Sequence, residues 1–494
     1  MEKALNWIGK KWSWPDGAKE ITSLNPANKN EIVCIAPDSP VKEVDRAVAE
    51  AKAAFPAWRR RPAQDRARII LKAARIMMDQ KDALGRLVTR ECGKPLPEGL
   101  GDVQEAIDMA EMAAGEGRRL FGETTPSELP NKMCMTVREP IGVCGLITPW
   151  NFPIAIPAWK ALHALICGNT IVFKPTEDTP LCGTAFVKVL EEAGLPPGVL
   201  NLVHGYGETV GQAIVNQPDI QLISFTGSTE VGKKIAEACG RTGKRVSLEC
   251  GGKNAQIVMS DANLDLAIEG ALWGAFGTAG QRCTATSRLI LHEAIYDEMV
   301  DRLIKQMKLL KQGPGLESGI HVGPIINEPQ LKRVLDYIEI GKKEGAKLLA
   351  GGKRAVGPKV DSGFFIEPTL FCGVTRKMRI FQEEIFGPVL AVIKVGSLNE
   401  AIETLNDCAY GLSSSIYTKD INQALTAVKE IEAGIVYVNG PTIGAEVHLP
   451  FGGIKGTGNG HREAGKTGLD IFTEWKTIYV DYSGKLQRAQ IDNS

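Results

Sequence analysis

The sequence predicts an α/β protein with two doubly wound parallel-sheet domains and a small β arm. Short, unbroken apolar runs alternate with amphipathic patterns from Val143 to Glu249, and a second such series runs from Asn254 to about residue 440. Strands covered on both faces read as continuous apolar runs, and strand–helix alternation at this spacing gives βαβ units. The third observation is a lone alternating strand near the end of the chain, Thr477-Ile-Tyr-Val-Asp-Tyr482, which needs a partner to be stable.

Residues 1–40 read as short strands and turns punctuated by Asn25-Pro26 and Asp38-Ser-Pro40. Pro40 opens a helix in which Val41, Val44, Val48, Ala51 and Phe55 recur at three- and four-residue spacing. Amphipathic segments at about 63–91 and 99–121 are expected to cover one face of a sheet. After the polar stretch Glu123 to Asn131, strands are expected at 143–147, 170–174, 200–203, 222–225 and 246–249, with helices at 158–167, 180–193, 207–216 and 229–240. The second series has strands at 254–258, 287–292, 346–350, 388–395, 412–417 and 435–438. Its helices fall near 262–277, 293–311, 328–344, 399–406 and 420–432. The glycine-dense stretch Pro450 to Gly460 is too irregular for an element.

A chain of 494 residues can bury large cores, and 44% hydrophobic with 23% charged residues is ordinary for a globular protein. Lys+Arg and Asp+Glu are each 58, so no basic surplus points to nucleic acid or an acidic membrane. Eleven scattered cysteines without a Cys-x-x-Cys pair, and only six histidines, argue against a disulfide framework and against a metal site. The most apolar region, Val143 to Phe173, is broken by prolines, Asn151, Lys160 and His163 and is not a membrane span. With no apolar signal segment after Met1, the expected place is the cytoplasm.

Chemistry concentrates where strands end. Cys283 lies in Phe276-Gly-Thr-Ala-Gly-Gln-Arg-Cys-Thr-Ala285. A thiol attacks only as thiolate, which calls for a cleft and stabilising neighbours. Arg282 precedes it, and Gly277, Ala279 and Gly280 let backbone approach closely. An isolated cysteine is more often inert core, so the case rests on other stretches. Asn151, in Trp150-Asn-Phe-Pro153, can donate to a developing oxyanion or make turn hydrogen bonds. Glu249 ends an apolar strand and is either a general base of raised pKa or a strand-end charge.

The stretch Phe225-Thr-Gly-Ser-Thr-Glu-Val-Gly232 follows a strand and opens a helix. Gly227 and Gly232 keep the outer spacing of a dinucleotide fingerprint, and Ser228 at the helix N-terminus suits a pyrophosphate; a capped helix is the plain alternative. Lys174 can reach ribose hydroxyls, and Glu177 would accept from a 2′-OH and repel a 2′-phosphate, which favours NAD. A solvated Lys–Glu pair reads equally well. Glu383-Glu-Ile-Phe-Gly-Pro388 is a turn entry or a ribose clamp.

Taken in order, Asn25-Pro26, Pro149-Trp-Asn-Phe-Pro153, Leu248-Glu-Cys-Gly-Gly-Lys253, Gly280-Gln-Arg-Cys283, Glu383 to Pro388 and Pro450-Phe-Gly-Gly453 resemble the NAD(P)-dependent aldehyde dehydrogenases over essentially the whole chain. The resemblance implies a Rossmann-like NAD-binding domain (1–121 and 141–250), a catalytic domain (251–450) and an oligomerisation arm (122–140 and 475–494). It implies that the arm's hairpin and the C-terminal strand form an intersubunit sheet in a homodimer or homotetramer. In the implied mechanism Cys283 attacks the aldehyde, Asn151 and the Cys283 N–H hold the oxyanion, and Glu249 activates the water that hydrolyses the thioester. Lys160 and Glu463 match a proton path, although His461 stands as one extra residue ahead of Arg462-Glu463. Ile147, Thr148, Trp150, Lys174, Glu177, Gly207, Phe225, Gly227, Ser228, Val231, Glu384 and Phe386 match contacts to NAD. Glu474 is expected to pair with Arg245 or Arg462. Members that pass the acyl group to coenzyme A generally lack a carboxylate at position 249.

Phe152, Trp159, the 442–448 loop and Phe451 are expected to line a pocket suited to an aliphatic chain. Asp102-Val-Gln-Glu105, Arg282 and Thr442-Ile-Gly-Ala-Glu446 resemble the α-aminoadipic semialdehyde dehydrogenase branch. There the N–H groups at Gly444 and Ala445 would meet a substrate carboxylate, with Glu105 and Arg282 near its polar end. The chain departs from that branch at Val447-His-Leu-Pro450 and Gly458-Asn-Gly-His461, so other semialdehyde acids and a broad aliphatic specificity stay open. So do a coenzyme A-acylating enzyme and a non-catalytic binding protein on the same fold.

Overall fold

The computed structural model describes residues 2–492, so Met1 and the last two residues assigned to the arm lie outside the described residues. Both parallel sheets form. In the first, five parallel strands run in the spatial order Arg245–Glu249, Ile220–Thr226, Val143–Ile147, Thr170–Lys174 and Leu200–Leu202. The N-terminal hairpin Asn6–Ile8/Lys11–Ser13 extends this sheet antiparallel. Each central strand splits its apolar side chains between two cores, as a side-chain period of two requires. Cys144, Leu146, Ile171 and Phe173 face the helices Ala63–Asp79, Lys81–Cys92, Leu96–Glu116, Ala155–Ile166 and Pro180–Glu192. Val143, Ile147 and Val172 face Val41–Arg60 and Thr229–Thr242. The expected segment 63–91 is in fact two helices broken at Gln80, and the expected helix 207–216 opens with a π-helical turn, Gly207–Gly211.

The second sheet runs Lys347–Ala350, Thr369–Cys372, Val389–Val395, Thr286–His292, Asn254–Val258, Ser413–Tyr417 and Ile435–Val438. All but the first are parallel; Lys347–Ala350 pairs antiparallel with Thr369–Cys372. Thr369–Cys372 has no counterpart in the sequence reading, because a four-residue strand after Pro368 leaves no periodicity to detect. The stretch 450–460 also holds more order than expected. Ile454–Lys455 pairs with Tyr410–Gly411, and Phe451 exchanges two 2.7 Å backbone hydrogen bonds with Glu463.

The C-terminal strand finds its partner inside its own chain. Thr473–Asp481 pairs antiparallel with Lys132–Pro140, which in turn pairs with Thr124–Pro126. This is the pairing of the 122–140 hairpin with the terminal strand that the resemblance implies. Arg245, not Arg462, forms the ion pair with Glu474 and ties this arm to the first sheet.

In the first sheet the chain leaves Val143–Ile147 in one direction and returns on its other side with Ile220–Thr226. The crevice between their carboxyl ends is a topological switch point, where sheets of this kind bind ligands. Only residues 250–253 separate Glu249, which ends a strand of the first sheet, from Asn254, which begins one of the second. The carboxyl ends of one sheet are thereby brought against the amino ends of the other.

Candidate active site

The short link between the sheets also fixes the nucleophile candidate. Asn254 Nδ2 donates to the carbonyls of Cys283 (2.7 Å) and Ala285 (2.9 Å), holding the segment that enters Thr286–His292. Of the eleven cysteines, ten are buried and Cys283 alone keeps partial access. It lies in the wall between two cavities, of about 110 and 220 Å³, and lines both.

The smaller cavity gathers Glu105, Phe152, Trp159, Glu249, Arg282, Gly444, Ala445, Phe451 and Glu463 around Cys283. Trp159 and Phe451 meet edge to face at 5.0 Å and make an apolar wall. Glu249 is 3% exposed, and neither carboxyl oxygen has a partner among the described residues. Burial, then the Glu463 carboxylate, pushes its pKa well above the usual range, against Lys160 and Arg462. Gly452 makes room for it, since a Cβ there would come within 2.6 Å of Glu249 Oε1. Behind it Lys160 Nζ contacts the Glu463 carboxylate and donates to Ser224 Oγ at 3.0 Å, and Ser224 donates on to Glu463 at 3.3 Å. The extra residue His461 therefore leaves Glu463 within the network, held by the backbone bonds to Phe451.

Asn151 is 4% exposed and spends one amide hydrogen on the Gln281 carbonyl at 3.2 Å. An amide carries two donors, so the second is available to a reacting oxygen. Arg282 does not play the part of thiolate stabiliser. Its guanidinium turns away to Thr278 Oγ1 (2.9 Å) and Glu98 (3.6 Å) and lies over Phe152 and Trp273. The Cys283 pKa is instead raised, first by burial and then by the Glu384 and Glu249 carboxylates, with the N–H groups of Thr284 and Cys283 opposing. The resting thiol is protonated.

The larger cavity opens at the switch point and is lined by Trp150, Asn151, Gly227, Ser228, Glu384 and Phe386. Ser228 caps the helix Thr229–Thr242 by accepting from Val231 N, so the first turn of that helix faces the opening. Glu384 packs where a Cβ on Gly251 would come within 2.2 Å of its Oε2, and it accepts from Gly252 N at 3.0 Å. Its pKa is raised to about 7, chiefly by burial. Phe386 takes a left-handed φ of 60° and sits edge-on to Trp150 at 5.4 Å. Thr226 Oγ1 is buried at the rim without a partner among the described residues. A capped helix N-terminus, a buried carboxyl and an aromatic clamp fit an anionic dinucleotide.

The other expected cofactor residues lie outside this cavity wall, on the carboxyl ledge of the same sheet. Lys174 Nζ pairs with Glu177 at 3.1 Å. Gly207 starts the π-helical turn, and Val231 is 43% exposed on the capped helix. Ile147 and Phe225 are core residues beneath the ledge, and Thr148 N donates to the Lys174 carbonyl at 3.2 Å.

Several residues at the site were not singled out from the sequence. Gln330 and Arg333, on Glu328–Lys343, line the larger cavity, and Gln330 donates to the Ile385 and Phe386 carbonyls. Asp102, quoted above only as part of a motif, accepts from Ile154 N (3.3 Å) and Ala155 N (2.8 Å) and so caps the helix that carries Trp159 and Lys160. Its other oxygen meets Lys94 Nζ at 3.0 Å, with both side chains fully buried, and Lys94 lies 4.0 Å over the Phe152 ring. Breaking a buried pair strands a charge. Asp102→Ala is expected to lose about 3–5 kcal/mol of stability, seen as a lower urea midpoint. A midpoint equal to wild type would contradict this.

Both the sequence and the fold match known proteins. The family model described as "Aldehyde dehydrogenase family" matches residues 12–478. The chain belongs to the aldehyde dehydrogenase family. An alpha-ketoglutaric semialdehyde dehydrogenase of Bacillus subtilis is 42% identical over 476 residues, 96% of this chain and 98% of that protein. A mouse protein, "Aldehyde dehydrogenase, cytosolic 1", is 44% identical over 484 residues, 97% of this chain and 95% of its own. The crystal structure of betaine aldehyde dehydrogenase from Staphylococcus aureus in complex with NAD+ matches with a TM-score of 0.95 at 33% identity, covering 98% of this chain and 95% of that one. This aldehyde dehydrogenase therefore oxidises an aldehyde group with a nicotinamide cofactor. No helix among its described residues is long and apolar enough to cross a membrane.

Proposed function

We propose that this aldehyde dehydrogenase uses NAD to oxidise a semialdehyde acid to the free dicarboxylic acid, with Cys283 as nucleophile. The observation that carries this reading is the placement of Cys283, the one cysteine with access, between a cavity holding Glu249 and a cavity holding Glu384. Cys283 loses its proton to water in the cavity and attacks the carbonyl carbon as thiolate, and the free amide hydrogen of Asn151 with the Cys283 N–H holds the oxygen that becomes negative. Bound NAD would supply the hydride acceptor for the thiohemiacetal carbon, leaving the acyl group on Cys283 as a thioester. Glu249 then takes a proton from the water that attacks the thioester. Glu463, Lys160 and Ser224 carry that proton inward, away from the cavity. Glu384 would hold the ribose nearest the nicotinamide, and the Glu177 carboxylate on the ledge favours NAD over its 2′-phosphorylated form.

Three features support a carboxylate on the substrate. Neither the Gly444 nor the Ala445 N–H is engaged by another described residue, and Gly444 holds φ 106° with open space around it. Glu105 has its pKa raised to about 8, by burial and then by Asp102, so near neutral pH it is protonated and can donate to a carboxylate. Arg282 lines the same cavity and is close enough to Glu105 for its charge to oppose that rise. The Bacillus relative's name points the same way. The aromatic wall and the mouse relative's name favour a second reading, a broad aliphatic specificity. NADH formation across plain aldehydes and semialdehyde acids separates the two. The first reading expects the highest kcat/KM among the acids, and a higher value for any short unsubstituted aldehyde would refute it.

We further propose a homo-oligomer built through the arm and a place in the reducing cytoplasm, where free thiols persist. Among the described residues the outer edge of Thr473–Asp481 has no pairing strand, and Trp475 and Tyr479 are exposed. Sedimentation is expected to give a dimer or tetramer; a monomer at micromolar concentration would contradict the assembly.

A further inference from the structure

Cys283 is preceded by a backbone run that most sequences cannot adopt. Thr278, Ala279 and Gly280 hold φ values of 51°, 53° and 69°, three left-handed residues in succession. This region is visited by single residues, mostly glycine, and a β-branched threonine there is a true outlier. Such strain persists only where surrounding contacts over-determine it.

Here those contacts converge on one buried carboxylate. Glu98, in the first turn of Leu96–Glu116, accepts from Thr278 N at 2.9 and 3.0 Å and from Thr278 Oγ1 at 2.9 Å. The same hydroxyl accepts from Arg282 Nε at 2.9 Å, and Arg282 Nη2 reaches Glu98 at 3.6 Å. The next turn is built on Thr278. Its carbonyl accepts from the Gln281 backbone N–H at 3.0 Å and from Gln281 Nε2 at 3.1 Å. The Gln281 carbonyl in turn receives the Asn151 amide, two residues before Cys283.

We propose that Glu98 is a positioning residue for the nucleophile: by clamping Thr278 in the left-handed region it sets the register between Cys283 and the Asn151 amide. The inference rests on Cys283 being the nucleophile. It gives Arg282 a role as the second arm of the clamp, which explains why this side chain turns away from the thiol. It also gives a reason for a carboxylate at position 98, 180 residues away in sequence.

The test is a double-mutant cycle of Glu98→Gln and Thr278→Val. The readouts are the pre-steady-state burst of NADH with propanal, which needs no carboxylate anchor, and alkylation of Cys283 by iodoacetamide in enzyme free of NAD. Small misplacements of a reacting group cost about 10–100-fold, so each single variant is expected to slow the burst by about that factor. The alkylation rate is expected to depart from wild type in both variants, with NAD affinity unchanged. Because the two residues act through one another, the double variant is expected to be no worse than Glu98→Gln alone. Wild-type burst and alkylation rates in either single variant, or losses that multiply in the double, would overturn the proposal. Cys283→Ser serves as the control. If it turned over normally, the nucleophile assignment itself would fall; if it were inactive while Glu98→Gln stayed fully active, only the role of Glu98 would fall.

Discussion

Cys283→Ala is expected to lower kcat by about 10⁴-fold or more while leaving NAD binding intact. The size of the effect follows from the chemistry, since without the sulfur no covalent adduct forms and no collapsing tetrahedral species is present to release hydride. The sparing of the cofactor follows from the geometry. The N-terminus of Thr229–Thr242, Glu384 and Trp150 are held by contacts that do not involve the Cys283 side chain. NADH absorbance measures the first, and cofactor fluorescence measures the second. Activity within tenfold of wild type would mean another nucleophile, and none of the other ten cysteines has access.

Glu249→Gln separates the two halves of the reaction. Acylation needs Cys283 and the oxyanion donors, whereas hydrolysis needs a base, so the variant is expected to release one NADH per site and then stall. General bases contribute about 10²–10⁴-fold, and the steady-state rate should fall by about that factor. The pH dependence has a definite sign. Burial, then Glu463, raises the Glu249 pKa well above the usual carboxyl range, so its carboxylate fraction grows as pH rises beyond that range. Wild-type steady-state turnover is expected to climb with pH above neutral, and the hydrolytic part of that rise is expected to vanish in Glu249→Gln. The Cys283 thiol is raised too, in part by Glu249, so removing that charge is expected to move its alkylation profile toward lower pH. A variant with no stall, or with the opposite shift, would contradict these assignments.

The two sheets were legible because their central strands are buried on both faces and read as unbroken apolar runs: Val143–Ile147, Thr170–Lys174 and Asn254–Val258 have the expected bounds. The antiparallel sense of Lys347–Ala350 and the existence of Thr369–Cys372 were not legible, since neither is encoded in local periodicity. At the site, residues in distinctive motifs converge on Cys283. Arg282 misled because adjacency along the chain says nothing about where a long side chain turns, and here Glu98 and Thr278 claim it. Glu98, Asp102 and Gln330 escaped notice for a related reason. Their functions lie in hydrogen bonds to distant backbone, and a Glu, Asp or Gln on a helix is the commonest of surface residues. The alternating pattern of the terminal strand showed that it needs a partner but not which one; the resemblance supplied residues 122–140, and Lys132–Pro140 is the strand it pairs with.

The most direct test of the whole account is the stoichiometry of wild-type turnover in buffer free of coenzyme A, added thiols and phosphate. Hydrolysis through Glu249 predicts one equivalent of free carboxylic acid for every NADH, at a rate that coenzyme A does not raise. NADH formation that stops after one turnover per site and resumes only with coenzyme A would show that water is not the acceptor, and would contradict the role assigned to Glu249.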